Sequence, residues 1–168
     1  MERTIKDTPP RLPVVFQRYD PPLYFLTFNM LFRRPLLACD EVHQAFRDYA
    51  ERGFQFHVAT GRYVLIPDHV HVFVRIRRDM KLRRWESGLK QCLGKTLMQL
   101  GHKPTATPQT KLKSFWQPGF FDHLLRHNES YAEKWDYVWR NPVRAGLVAK
   151  PEDWPYQGEI HNIDRAQV

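Results

Sequence analysis

Residues 54–76 read FQFHVATGRYVLIPDHVHVFVRI, and this stretch decides the fold. It contains two β-rich runs, Phe54–Ile66 and His69–Ile76, which are separated only by Pro67 and Asp68. A junction of two residues is too short for a crossover connection, so it predicts an antiparallel hairpin. The two runs are therefore expected to be neighbours in one sheet.

Apolar periodicity on both sides of the hairpin predicts the remaining elements. They are a strand at Leu23–Met30, a helix at 40–53, a helix at 82–100, a broken strand at Phe115–Arg126 and a helix at Glu129–Arg140. The order β-α-β-β-α-β with a C-terminal helix predicts an α+β fold with a ferredoxin-like antiparallel sheet. Because this architecture hosts many unrelated functions, it does not identify the activity.

The ends of the chain carry no motif and are set apart from the predicted domain. We expect a Pro-rich N-terminal arm at residues 1–22, one domain at 23–156 and a tail at 157–168. Residues 102–114 are rich in Thr, Pro and Lys, which predicts a flexible linker or loop.

Composition indicates a polyanionic partner, and the chain shows no visible signal for secretion or for spanning a membrane. The chain has 26 Lys and Arg against 18 Asp and Glu, and 14% of its residues are aromatic. Basic side chains release counterions from phosphates, and bases stack on aromatic faces. No stretch approaches the length of an apolar membrane span, and the N-terminus has no apolar signal region. The two cysteines form no CxxC motif, so we expect a reducing cytoplasm.

The second run of the hairpin presents two histidines on one face. Alternate residues of a strand face opposite sides, and here the valines and Ile76 make one apolar face. The residues that fall on the other face are His69, His71, Phe73 and Arg75. Two imidazoles at this spacing can converge on one metal ion, but a pair of solvated histidines has the same pattern. A metal site also needs a third ligand, which no zinc-enzyme motif supplies.

The last predicted helix carries two tyrosines, and helical spacing separates them. Tyr131, Trp135, Val138 and Trp139 stand at i, i+4, i+7 and i+8 and form an apolar stripe. Tyr131 is therefore expected in the core, whereas Tyr137 lies about 145° from the stripe. It is available for chemistry or is an ordinary surface tyrosine. Asn141 precedes a proline, so it is expected to end the helix.

Three motifs in order resemble one family. PDHVHVFV resembles the HUH signature of single-strand DNA transposases that use one tyrosine. WQPGFFDHLLR and then WDYVWRNPVRAGLV with PEDWPY resemble the C-terminal segments of the REP-associated tyrosine transposases. The resemblance covers about residues 23–156, and the order of the motifs agrees throughout.

The resemblance implies a role for each matching residue. His69 and His71 would be metal ligands, Tyr137 the nucleophile, and Asn141 the third ligand where related insertion-sequence transposases carry a glutamine. The family implies Mg²⁺ or Mn²⁺, although imidazole by itself suits softer metals. It also implies attack by the tyrosine to give a 5′-phosphotyrosine and a free 3′-OH. Since the phosphotyrosine ester keeps the phosphate bond reversible, another 3′-OH can attack it and rejoin the strand.

The resemblance further implies a partner, single-stranded DNA that carries a hairpin. It also implies a bacterial protein that is cytoplasmic and associated with the nucleoid. Whether the protein is a monomer or a homodimer is left open. The residues expected to contact phosphates or to stack on bases are Arg75, Arg77, Arg78, Lys90, Lys95, Trp116 and Phe120. For each of these, a solvated surface charge or a core aromatic is the competing interpretation.

Two other functions remain open from the sequence. The chain could bind hairpin DNA without cleaving it, or it could hydrolyse phosphodiesters through an activated water. The presence of both histidines, the tyrosine and the asparagine favours a metal-dependent endonuclease and transesterase, a DNA strand-transfer enzyme of transposase type.

Overall fold

A computed structural model describes residues 21–125 and 131–163. The helices are α1 (Asp40–Gly53), α2 (Leu82–Gln99), α3 (Tyr131–Trp139) and α4 (Asn141–Arg144). The strands are β1 (Leu23–Asn29), β2 (Val58–Ile66), β3 (His69–Ile76), β4 (Thr105–Ala106), β5 (Lys113–Ser114), β6 (Phe121–Leu124) and β7 (Gln157–Glu159). Among the described helices, none has the length and apolar character needed to cross a membrane.

Five strands form one antiparallel sheet in the order β6-β1-β3-β2-β7. The two-residue junction joins β2 and β3 as a hairpin, with Ile66 opposite His69. The first four strands in this order, together with α1 and α2, make the ferredoxin-like arrangement. The predicted fold class is therefore confirmed.

The two faces of the sheet are covered by different elements. Helices α1 and α2 cover one face, and α3, Trp154 and Ile163 pack on the other. The first core includes Leu26, Phe28, Phe46, Val70, Val72, Val74, Leu89 and Leu93. The second core includes Phe73, Tyr131, Val138, Trp154 and Ile163. The predicted apolar face of β3 thus lies under the helices, where each buried side chain contributes about 1.5–3 kcal/mol.

Several predicted boundaries differ from the structure. The strand expected from Phe54 begins only at Val58, because residues 54–56 form a 3-10 turn and His57 adopts a left-handed φ of 62°. The broken strand expected at 115–126 is an isolated bridge at Trp116 followed by β6. The predicted linker at 102–114 contains the small ribbon of β4 and β5.

The predicted N-terminal arm and tail lie only partly within the described residues. Residues 157–159 form β7 and pair with β2, so this part of the predicted tail extends the sheet. Residues 1–20 and 164–168 lie outside the described residues, as do residues 126–130 at the start of the last predicted helix. The domain boundaries stay predictions.

Candidate metal and nucleophile site

His69 and His71 lie on the central strand β3, on the face opposite α1 and α2. Their register partners on β1 are Asn29 and Thr27. Directly opposed residues of antiparallel strands point to the same face. These four side chains therefore form one polar patch, while the intervening valines point into the core.

The two imidazoles and one amide converge on a single point. The Nε2 atoms of His69 and His71 are 3.1 Å apart, and the Asn141 side-chain amide lies 2.8 Å from Nε2 of His71. The other ring nitrogen, Nδ1, of each histidine is hydrogen-bonded to a neighbouring side chain. Nδ1 of His69 donates to a carboxylate oxygen of Asp68 at 2.7 Å. Nδ1 of His71 lies 2.7 Å from the Thr27 hydroxyl. Because a carboxylate only accepts, the His69 proton is on Nδ1 and Nε2 is a free ligand atom.

The spacing of these donors fits one divalent ion. Two nitrogens that bind an ion at about 2.1 Å and at right angles are about 3 Å apart. The amide of Asn141 would present its oxygen, since the oxygen and nitrogen exchange places when the amide turns over. Within residues 21–125 and 131–163, no group of three or more His, Cys, Asp and Glu side chains could hold a metal. The site therefore depends on an amide as its third donor.

A carboxylate and a guanidinium hold His69 in place. Asp68 binds the His69 ring through one oxygen and receives the Nε–H of Arg33 at 2.8 Å on the other. Arg33 also donates to the side-chain oxygen of Asn29 at 2.6 Å. It does so from a left-handed backbone φ of 53°, which is uncommon for a residue other than glycine. Such partners fix the orientation of a metal-binding imidazole, so Asp68 and Arg33 are positioning residues for His69.

Burial keeps the imidazoles neutral. It lowers the pKa of His71 to about 3, and the charges of His69 and Arg144 contribute further. Burial also lowers the pKa of His69, against the opposing effect of Asp68. Burial raises the pKa of Asp68, but the hydrogen bond from His69 and the charge of Arg33 outweigh it and hold that pKa below its usual value. A neutral imidazole beside an ionised carboxylate is the state that binds a cation.

The neutral state of His71 predicts an acid-sensitive fold. In the unfolded chain this side chain takes up a proton below about pH 6.5, whereas in the folded protein it stays neutral down to about pH 3. Stability is therefore lost as pH falls through this window, by about 1.4 kcal/mol per pH unit for this group. Urea unfolding in EDTA should show a shallower loss for His71→Gln than for the wild type. Equal slopes in the two proteins would show that His71 is not held neutral.

Tyr137 lies on the exposed side of α3, as helical spacing predicts. Its side chain is 68% exposed, whereas Tyr131 is 6% exposed and its hydroxyl accepts the backbone N–H of Arg62. The prediction that Asn141 ends this helix is wrong. Asn141 begins α4, and Pro142 occupies the first turn of α4, where a missing N–H costs little. This turn directs the amide toward His71.

Arg144 connects the tyrosine to the histidine pair. Its guanidinium carbon lies 4.2 Å from the centre of the Tyr137 ring, and its Nη2 donates to the Tyr137 carbonyl at 2.8 Å. Its charge also contributes to the lowered pKa of His71. A guanidinium in this position can bind a phosphate oxygen between the tyrosine and the two imidazoles.

Arg75 is not available at the surface, contrary to its predicted role as a phosphate contact. Its side chain is 2% exposed, and its guanidinium donates to the backbone carbonyls of Ile163 at 2.8 Å and Pro21 at 2.6 Å. The alternation of β3 places Arg75 on the same face as the histidines. The segment around Ile163 covers that end of the face, so the arginine fixes the segment instead.

The other basic residues predicted to contact DNA lie away from the histidines. Lys90 donates to the carbonyl of Gly119 at 2.7 Å and pairs with a buried carboxylate on α2, which covers the opposite face. Lys95 is exposed on the same helix, and Arg78 is exposed beyond β3. Arg77 pairs with an aspartate two residues on. Since β3 spans about 23 Å, Arg77 and Arg78 lie at its far end.

Of the two predicted stacking platforms, Trp116 is part of the core and Phe120 is only partly buried. Trp116 is 7% exposed, and its indole N–H donates to the carbonyl of Lys90 at 3.0 Å. Phe120 is half-buried and packs against the same core. Trp116 therefore presents no free face, whereas Phe120 lines a cavity that Thr27 and Asn29 also line.

Four residues of the site were missed from the sequence. Asp68 and Arg144 lie inside the motifs PDHVH and NPVRAG. Their closeness in sequence to His69 and Asn141 is the feature that could have identified them. Thr27 and Arg33 reach the histidines only through the pairing of β1 with β3. No local sequence pattern identifies them.

Comparisons with known proteins agree with the resemblance, although no family model matches the sequence. The REP-associated tyrosine transposase of Escherichia coli K12 is 27% identical over 148 residues, which cover 84% of this chain and 79% of that protein. A putative REP-associated tyrosine transposase of Haemophilus influenzae is 23% identical over 151 residues, which cover 87% and 84%.

A solved structure shares the fold. It is that of a REP-associated tyrosine transposase bound to a REP hairpin, and it superposes with a TM-score of 0.61 at 21% identity. The superposition covers 93% of this chain and 82% of that one. Along most of its length the chain is thus similar in sequence to REP-associated tyrosine transposases, and it shares the fold of one of them.

Proposed function

We propose that the protein is a metal-dependent endonuclease and transesterase that cleaves single-stranded DNA at a hairpin through a 5′-phosphotyrosine on Tyr137. The convergence of His69 Nε2, His71 Nε2 and the Asn141 amide carries the proposal, because it joins three candidate ligands at one point. The names of the relatives, and the REP hairpin bound to the solved transposase, support DNA processing and a hairpin DNA partner.

The proposed metal is Mg²⁺ or Mn²⁺, held by His69, His71 and Asn141. When bound, such an ion withdraws charge from a non-bridging phosphate oxygen and orients the phosphorus for in-line attack. Asp68 and Thr27 hold the two imidazoles by their Nδ1 atoms, which leaves the Nε2 atoms to bind the ion when it is present. Three protein donors leave open positions for the phosphate and water.

The proposed nucleophile is the hydroxyl of Tyr137. Its oxygen bonds to the phosphorus as the bond to the 3′ oxygen breaks, its proton passes to water, and the departing 3′ oxygen takes a proton to become a 3′-OH. Arg144 would neutralise charge on the phosphate from beside the ring. Attack by a 3′-OH on the phosphotyrosine reverses the step and rejoins the strand.

Covalent trapping tests the proposed reaction. A 5′-labelled and a 3′-labelled hairpin oligonucleotide, each with unpaired flanks, are incubated with the protein and Mn²⁺ and separated under denaturing conditions. We expect a protein adduct that retains only the 3′ label and is absent in EDTA. Trypsin cleaves after Lys134 and Arg140, so the modified peptide should be WDYVWR, whose single tyrosine is Tyr137.

The same experiment separates the alternatives. Tight binding without any adduct would identify a hairpin-binding protein that does not cleave. Cleavage products without an adduct would identify a phosphodiester hydrolase that uses water. An adduct on another peptide would exclude Tyr137 as the nucleophile.

The Asp68 carboxylate is expected to control metal affinity without touching the ion. In Asp68→Asn the side chain is neutral and has one acceptor oxygen instead of two, so it cannot accept from both His69 and Arg33, and the ring is held less firmly. We expect Mn²⁺ affinity to fall by about 10- to 100-fold, as for other outer partners of metal ligands. Titration calorimetry measures the change, with Asp136→Asn on exposed α3 as the matched control. Unchanged affinity in Asp68→Asn would remove its positioning role.

We also propose that the protein is located in the cytoplasm and associates with the DNA of the nucleoid. A homodimer stays a prediction, which the mass of the protein in solution would test.

A further inference from the structure

An exposed aromatic ring lies beside the histidine pair and has no role in the proposed reaction. Phe121 on the edge strand β6 is 61% exposed. It stands opposite Thr27 in the β6–β1 register, and Thr27 stands opposite His71 in the β1–β3 register. Since opposed residues share a face, the three side chains form one row across the sheet. Two strand spacings separate the ends of this row, about 10 Å.

A cavity of about 340 Å³ opens next to this ring. It is lined by Thr27, Phe28, Asn29 and the segment 117–121, which includes Phe120 and Phe121. The volume lies at the lower end of the range of roughly 300–1,000 Å³ found for small-molecule sites. Phe121, Gln117 and Asn29 therefore border one space, and both Thr27 and Asn29 belong to the patch around the histidines.

The wall of the cavity is fixed by hydrogen bonds. The backbone N–H of Gln117 donates to the Asn29 carbonyl at 3.0 Å, and Nζ of Lys90 donates to the Gly119 carbonyl at 2.7 Å. Gly119 adopts a φ of 78°, a left-handed conformation that glycine takes without strain. Because these contacts hold the wall, little ordering is needed when a ligand enters.

We propose that Phe121 and this cavity bind an unpaired nucleobase within one or two nucleotides of the phosphate at the histidine pair. The inference rests on the proposed function, since it assumes single-stranded DNA on this face. Aromatic rings stack on every base, and the amides of Gln117 and Asn29 can hydrogen-bond to base edges. Phe121 thus takes the role that the sequence assigned to Trp116, which is a core residue, and Phe120 lies beside it in the cavity lining.

Base-dependent binding tests this pocket. Two fluorescein-labelled strands of about 12 nucleotides are compared by anisotropy in EDTA, oligo(dA) and an abasic strand with the same number of phosphates. For Phe121→Ala we expect the dissociation constant for oligo(dA) to rise by about 5- to 150-fold, with the abasic strand unaffected. Phe121→Trp should retain the affinity of the wild type for oligo(dA).

Phe56→Ala is the matched control. Phe56 is 63% exposed, and it lies in the turn before β2, at the end of the sheet far from His69. The control should bind both strands like the wild type. If Phe121→Ala loses affinity equally for both strands, or for neither, the proposed pocket is wrong.

The assay contains no divalent metal and needs no cleavage, so its result is independent of Tyr137 chemistry. A wild-type protein that forms the phosphotyrosine while Phe121→Ala binds oligo(dA) normally overturns the pocket alone. A wild-type protein that binds neither strand overturns the pocket, and the adduct on the hairpin oligonucleotide then decides the proposed function separately. Base-dependent binding without any adduct supports the pocket and removes the cleavage reaction.

Discussion

Tyr137→Phe is expected to bind hairpin DNA like the wild type and to form no covalent adduct. The substitution removes only the hydroxyl oxygen that would attack phosphorus. The side chain is 68% exposed, so the core is unchanged, and Arg144 can remain above the phenyl ring. Loss of the nucleophile from a covalent enzyme lowers the rate by about 10⁴-fold or more. Adduct formation on a labelled hairpin oligonucleotide with Mn²⁺ measures the effect.

Tyr24→Phe provides the matched control for this loss. Tyr24 lies on β1 but packs against the core under α1 and α2, on the face opposite the histidines. Its hydroxyl should have no effect on the adduct. Strand cleavage that survives in Tyr137→Phe at the rate of the wild type would leave an activated water as the nucleophile and contradict the proposal.

His71→Ala is expected to abolish detectable Mn²⁺ binding and, with it, DNA cleavage. The imidazole is the central donor of the site, since its Nε2 lies 3.1 Å from Nε2 of His69 and 2.8 Å from the Asn141 amide. Removing an outer partner of a ligand already costs about 10- to 100-fold in affinity, so removing the ligand should cost at least about 100-fold. Calorimetric titration with Mn²⁺ measures the loss.

His102→Ala serves as the control for that titration, because His102 follows the end of α2, on the helix-covered side of the sheet. Hairpin binding in EDTA should be retained by both variants, which separates the metal from the DNA-binding surface. If His71→Ala binds Mn²⁺ as tightly as the wild type, the histidine pair is not the metal site.

The periodicity of the sequence correctly predicted which side chains of a strand or helix share a face. The alternation of β3 placed His69 and His71 opposite the core, and the spacing of α3 separated Tyr131 from Tyr137. Both assignments are confirmed, because a strand or helix repeats its direction at a fixed interval. The two-residue junction at Pro67 likewise predicted the hairpin.

Periodicity failed where another part of the chain covers a face. Arg75 follows the same alternation as His71, yet the segment at Ile163 buries it and takes its hydrogen bonds. Trp116 was a candidate stacking platform or a core aromatic, and it packs into the core. A repeat along the chain gives the direction of a side chain, whereas exposure depends on what packs there.

The sequence by itself determined the α+β class, the paired histidines, the exposed tyrosine and the resemblance to a family. Only the tertiary structure decided what these groups meet. It brings Asn141 to His71 across 70 positions, Arg33 to Asp68 across 35, and Thr27 to His71 across 44. These contacts arise from strand register and helix docking, which depend on the packing of the whole core. The spacing of residues along the sequence therefore does not predict these contacts.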